Sequence, residues 1–160
     1  MDSEAQTSAD DRELVITRHI KATPEKLFRC WTEPDLIKEW FCPKPWSIAR
    51  AEVDVRPGGK SLIVMRSPEG QEFPNPGVYL EVVPNRKIVF TDAFTSGWEP
   101  AGEPFMVAIV TFEDQGDGTT LYTARARHWT KDATERHKSM GFHEGWSKVA
   151  EQLEDLARTL

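Results

Sequence analysis

Cysteine is scarce in this chain of 160 residues, which holds two, and neither has the company that cysteine chemistry needs. Cys30 and Cys42 lack a second pair to complete a zinc site and lack the close spacing of a redox motif. A reducing compartment fits better than a Cys30 to Cys42 disulfide. Long apolar runs are missing too, so no membrane span is expected. Residues 1–11 have neither the basic start nor the apolar middle of a secretion signal, and a cytoplasmic protein is expected. Positive charge is in the minority, with 20 Lys and Arg against 26 Asp and Glu. Phosphate binding relies on clustered cations, so a nucleic-acid partner is not expected. Internal repeats and low-complexity tracts are absent.

What the chain has is aromatic mass, six Trp and eight Phe, within a length that buries roughly two-thirds of its unfolded surface in one core. Residues 1–11 are polar and without periodicity, which predicts a disordered N-terminal tail, and residues 12–160 are expected to form a single domain. Strand follows strand through most of it. Residues 13–21 are rich in β-branched side chains. In residues 47–56, Ala49, Ala51, Val53 and Val55 alternate with Arg50, Glu52, Asp54 and Arg56, the pattern of a strand with one packed and one wet face. The turn at Gly58-Gly59 joins this strand to 61–66 and lacks the following helix that a phosphate loop requires. Further strands are predicted over 77–83, 87–94, 105–113 and 119–128, with a Gly- and Pro-rich loop carrying Trp98 between two of them.

Helices stand at two places. Thr23 and Pro24 open a short helix with Leu27, Phe28 and Trp31 on its apolar face, and a second short helix follows Pro34. Residues 131–160 read as one long helix, in which Phe142, Trp146, Val149, Leu153, Leu156 and Leu160 recur at helical spacing. Extending that wheel toward the N-terminus brings Glu135, Lys138 and Ser139 onto the same face. The first two turns are therefore expected to line a polar end of any cavity beneath the helix.

This order of elements resembles the helix-grip fold of the START-like, or SRPBCC, superfamily, an α+β architecture in which a curved antiparallel sheet of about seven strands wraps a C-terminal helix. The branch it looks like is that of the activator of the heat-shock-protein-90 ATPase. The motifs are Ala22-Thr23-Pro24 with Trp31-Thr32-Glu33-Pro34, Trp40-Phe41, Asp54-Val55-Arg56-Pro57-Gly58-Gly59, Arg127-His128-Trp129, and Met140-Gly141-Phe142-His143-Glu144-Gly145-Trp146. The resemblance implies a cavity between sheet and helix, and relatives in the superfamily include lipid carriers, polyketide cyclases and a co-chaperone module.

Three readings follow. The first is binding of a small hydrophobic or amphipathic ligand by Trp40, Phe41, Met65, Tyr79, Phe90, Phe94, Trp98, Phe105, His128, Ser139, Phe142 and Trp146, with Phe73 as a further aromatic of the interior. The second is a protein-interaction module acting through its exterior on a protein partner or as a homodimer. The third is a cyclase-like or aromatase-like enzyme with His128, at the end of the last strand, as general acid or base assisted by Asp92, Tyr79 or Glu81. His137 and Glu144 fall opposite the apolar stripe and are expected in solvent. The i, i+4 pair of a helical zinc site is missing, so neither metal nor cofactor is expected.

Overall fold

A computed structural model describes residues 11–160; the tail expected over 1–11 falls outside them except for Asp11. The chain runs β1 (Glu13–Ile20), α1 (Pro24–Thr32), α2 (Pro34–Trp40), β2 (Ser47–Val53), β3 (Lys60–Arg66), β4 (Glu72–Val83) and β5 (Lys87–Thr91). A hairpin of two-residue strands, β6 (Phe94–Thr95) and β7 (Glu99–Pro100), precedes β8 (Val107–Asp114), β9 (Thr120–Arg127), α3 (Lys131–Ser139) and α4 (Phe142–Ala157). Seven strands form one antiparallel sheet in the order β1-β9-β8-β5-β4-β3-β2. This is the α+β helix-grip architecture, with α4 against the inner face of the sheet.

Local chemistry explains the elements. The Thr23 hydroxyl accepts the Lys26 N–H at 3.4 Å and caps α1, while Pro24 occupies the first turn, where its missing N–H costs nothing. Leu27, Cys30 and Trp31 on one face of α1 are buried, and the Trp40 indole N–H donates to the Cys30 carbonyl at 2.9 Å, locking α2 onto α1. In β8 and β9 the period of two is clean: Ala108, Val110 and Phe112 face inward opposite Tyr122, Ala124 and Ala126. Leu153 is fully buried in the same core, a burial that contributes about 1.5–3 kcal/mol.

Two polar side chains of α4 tie the helix to opposite sides of the fold. Glu154 accepts the Arg18 guanidinium at 2.9 and 3.1 Å and the Lys21 backbone N–H at 2.8 Å, fastening β1. Gln152 donates to the carbonyls of Trp40 and Cys42 and accepts the Lys44 N–H, fastening the end of α2. Cys30 and Cys42 are both free and buried.

The single helix expected over 131–160 is two helices. Gly141 takes a left-handed conformation, φ 96°, which ends α3 and begins α4; glycine adopts that region without the steric penalty of a Cβ. The break resets the helical phase. Glu135, Lys138 and Ser139 consequently point to solvent, and His137, expected in solvent, is buried. Glu144 and His143 are exposed. In β2 a register shift between Ile48 and Arg50 puts Ile48 and Ala51 in the core, where unbroken alternation had placed Ala49.

Candidate functional site

Between the sheet and the helices lies an open cavity of about 380 Å³, near the lower end of the range typical of small-molecule pockets. Seven of the residues expected at a ligand site are in its wall: Trp40, Phe41, Met65, Phe90, Phe105, Phe142 and Trp146. Trp146 and Val149 of the α4 stripe are only half-buried because they face this space and not a packed wall. Gly145 faces it as well, and a Cβ built there meets no atom within 4 Å. Trp31, also in the wall, packs its ring at 5.0 Å from Trp40, 5.3 Å from Phe41 and 5.7 Å from Phe90.

The other expected residues lie outside the wall. Tyr79 is buried in the core, where desolvation pushes its phenol up to about 12 against the opposing hydrogen bond with Ser61. Ser139 is exposed, for the reason of helix phase given above. Phe73 is half-exposed beside Trp46, with ring centroids 5.5 Å apart. Phe94 and Trp98 sit in the β6–β7 hairpin, their rings 5.8 Å apart. The Trp98 ring covers Gly58, reaching within 3.1 Å of where a Cβ would stand, and its own φ of 60° is a rare conformation for a bulky residue. His128 stands one layer behind the wall.

His128 is buried at the end of β9, and its imidazole contacts His137 of α3, the Nε2 to Nδ1 distance being 2.9 Å. Its other nitrogen, Nδ1, lies 3.2 Å from the Arg12 carbonyl oxygen. His137 is in the cavity wall, nested among Phe105 at 4.6 Å, Phe142 at 5.1 Å and Trp146 at 6.0 Å. Burial holds the His137 imidazole down to about 4, with the neighbouring His128 acting in the same direction. Burial also lowers His128, against the opposing pull of the Arg12 carbonyl. Both rings are neutral at neutral pH.

The remaining polar groups of the wall are few. Asp92, considered from sequence as a partner for His128, uses its carboxylate to accept the backbone N–H groups of Phe105 and Met106 at 2.8–3.1 Å. Tyr122 is buried, and desolvation drives its phenol far above the usual range, opposed by the nearby Trp31 N–H. That indole nitrogen is the one buried side-chain polar atom among the described residues without a partner in hydrogen-bonding geometry. Trp31, Tyr122 and His137 were missed as cavity residues. Trp31 reads as ordinary core on the apolar face of α1, and His137 was misplaced with the helix phase. No group of His, Cys, Asp and Glu among the described residues is arranged to hold a metal ion, and no helix among them is long and apolar enough to cross a membrane.

A curved antiparallel sheet gripping a C-terminal helix, with an internal cavity between them, defines a protein of the START-like, SRPBCC class. Within that class, residues 21–158 match the family described as activator of Hsp90 ATPase homolog 1-like protein, AHSA1, and the chain belongs to that family. Protein NE0264 from Nitrosomonas europaea is similar in structure with 40% identity and a TM-score of 0.89, covering 94% of this chain and 96% of that one. Protein Ms6760 from Mycobacterium smegmatis shares the fold at 22% identity and a TM-score of 0.78, covering 96% and 95%. The AHSA1-like protein from Aeromonas hydrophila does so at 17% identity and a TM-score of 0.70, covering 92% of each chain. No curated protein matches the chain.

Proposed function

We propose that this protein binds one small amphipathic molecule in the cavity between the sheet and α4. The observation that carries the reading is the composition of the wall: aromatic rings and aliphatic side chains enclose about 380 Å³, interrupted by a handful of fixed polar groups, the combination that ligand pockets use for affinity and orientation. Trp146, Val149 and Gly145 leave α4 unpacked along this stretch, whereas Leu153 and Ala157 further along are fully buried. A helix serving the core alone would have large side chains closing that space.

Titration with Nile red, a neutral dye that brightens in apolar surroundings, tests the reading. Saturable one-to-one binding is expected. Gly145→Leu, which projects a side chain into the cavity from a position with free space around it, should weaken binding at least about tenfold with the fold intact by circular dichroism. Dye binding that is absent, or unchanged in the variant, would sink the proposal.

A further inference from the structure

The hydrogen bonds of the two histidines determine where their protons are. A carbonyl oxygen only accepts, so the contact of His128 Nδ1 with the Arg12 carbonyl requires the proton of neutral His128 to be on Nδ1. His128 Nε2 is then bare, and its 2.9 Å contact with His137 Nδ1 is a hydrogen bond only when His137 Nδ1–H donates. The single proton of neutral His137 is thereby used on the side facing away from the cavity. His137 Nε2 is left as a lone pair, with no hydrogen-bond partner among the described residues, on a residue of the cavity wall. The Arg12 carbonyl, one residue before β1 pairs with the end of β9, thus sets the polarity of a pocket atom two imidazoles away.

Charge in the wall points the same way. Among the described residues that line the cavity there is no Lys or Arg, and there is one carboxylate, Asp92. Nothing there compensates an anionic ligand, and burying an uncompensated charge is strongly unfavourable. The Trp31 N–H is buried against the Tyr122 phenol and offers no charge to an occupant.

We infer that His137 is the specificity-determining residue of the cavity: its bare Nε2 accepts a hydrogen bond from a neutral hydroxylated ligand, and the site rejects carboxylates of the same shape. The ligand class is a neutral molecule with a largely apolar body and a hydroxyl directed at His137. Fatty acids and other carboxylates are excluded, because the single His137 proton is on Nδ1, engaged with His128, and Nε2 has none to offer them. This inference rests on the reading of the cavity as a ligand site.

Three probes with one ring system separate the inference from that reading: β-naphthol, its methyl ether and β-naphthoate, titrated calorimetrically at pH 7. Naphthol is expected to bind about tenfold tighter than the ether, which cannot donate, the worth of one hydrogen bond to a buried acceptor. Naphthoate should bind more weakly than either. His137→Phe, which keeps a ring in the aromatic nest, should abolish the preference for naphthol over the ether. His137→Gln, with an amide oxygen as acceptor, should restore part of it. Ether binding with no preference for naphthol, or a preference that survives in His137→Phe, overturns the inference and leaves the cavity reading standing. Binding of none of the three overturns both. A measurement needing no variant is the long-range proton–nitrogen spectrum of the histidines: protons on Nδ1 of both His128 and His137 are expected, and a proton on His137 Nε2 refutes the assignment.

Discussion

Lowering the pH from 7 to 5 should destabilise this protein by an amount that the histidine pair dictates. His137 has a folded-state value of about 4 against an unperturbed 6.5. Between those values the unfolded chain binds a proton that the folded chain refuses. Stability therefore rises with pH across this window and is lost as pH falls from 6.5 toward 4, below which the contribution is exhausted. Two-state linkage with these values gives a loss of about 2 kcal/mol between pH 7 and pH 5, to which His128, lowered in the same direction, adds. For a chain of this size the loss lowers Tm by about 4–8 °C. The assay is urea denaturation followed by tryptophan fluorescence at half-unit pH steps, on the wild type and on His137→Phe. The variant removes the buried imidazole from a nest of Phe105, Phe142 and Trp146 that accommodates a ring, so its slope over this window should fall to less than half. Parallel slopes for the two proteins would refute the reasoning, because the proton uptake would then belong to groups other than this pair.

Gly145→Ala should raise stability by about 0.5–1 kcal/mol in the same denaturation assay, since the glycine is helical, a Cβ there meets nothing within 4 Å, and glycine inside a helix is entropically unfavourable. Glu154→Ala should cost about 1–3 kcal/mol at pH 7, because the Lys21 N–H loses its partner and the Arg18 guanidinium its carboxylate. Burial would raise this carboxyl, but the bonds from Lys21 and Arg18 outweigh burial and lower it. Its contribution is present above the unfolded value and lost as pH falls through the folded one, so wild type and variant should begin to converge only as pH falls below about 4.5.

How much of this was legible in the sequence depended on whether the deciding signal was periodic. The alternation in β8 and β9 and the cap at Thr23 are written in consecutive residues, and the element order followed from them. Gly141 and Gly145 are both glycines within one helical pattern, yet the first breaks the helix and the second does not. What separates them is φ, which tertiary packing sets and composition does not reveal. That one break moved Ser139 out of the expected site and His137 into the cavity wall. The strand expected over 77–83 begins earlier, at Glu72, and the added stretch holds Pro74 and Pro76. Both pair with β3, at Val64 and Leu62, while β5 begins its pairing only at Val78. Strand edges without a neighbour tolerate proline, since no ladder bond is lost there. The tautomer relay from Arg12 through His128 to His137 had no sequence signal, because its three members meet only when β1 closes on β9.

That closure has a consequence for how the protein is made. β1 lies at one edge of the sheet, and β9 is its only neighbouring strand among the described residues, with Glu13 opposite Arg127. A ribosome delivers β1 early and β9 near the finish, so for most of synthesis the first strand has no ladder to join. Such long-range closure is entropically slow, and β2, next among the strands in the chain, goes to the opposite edge of the sheet and offers no temporary partner. A nascent chain halted before residue 120 is expected to expose the apolar side chains of β1, Leu14, Ile16 and Ile20, to whatever waits at the exit tunnel. The same strand that places the Arg12 carbonyl against His128 is thus the last to acquire its neighbour, and the pocket gains its polarity only when the chain is nearly complete.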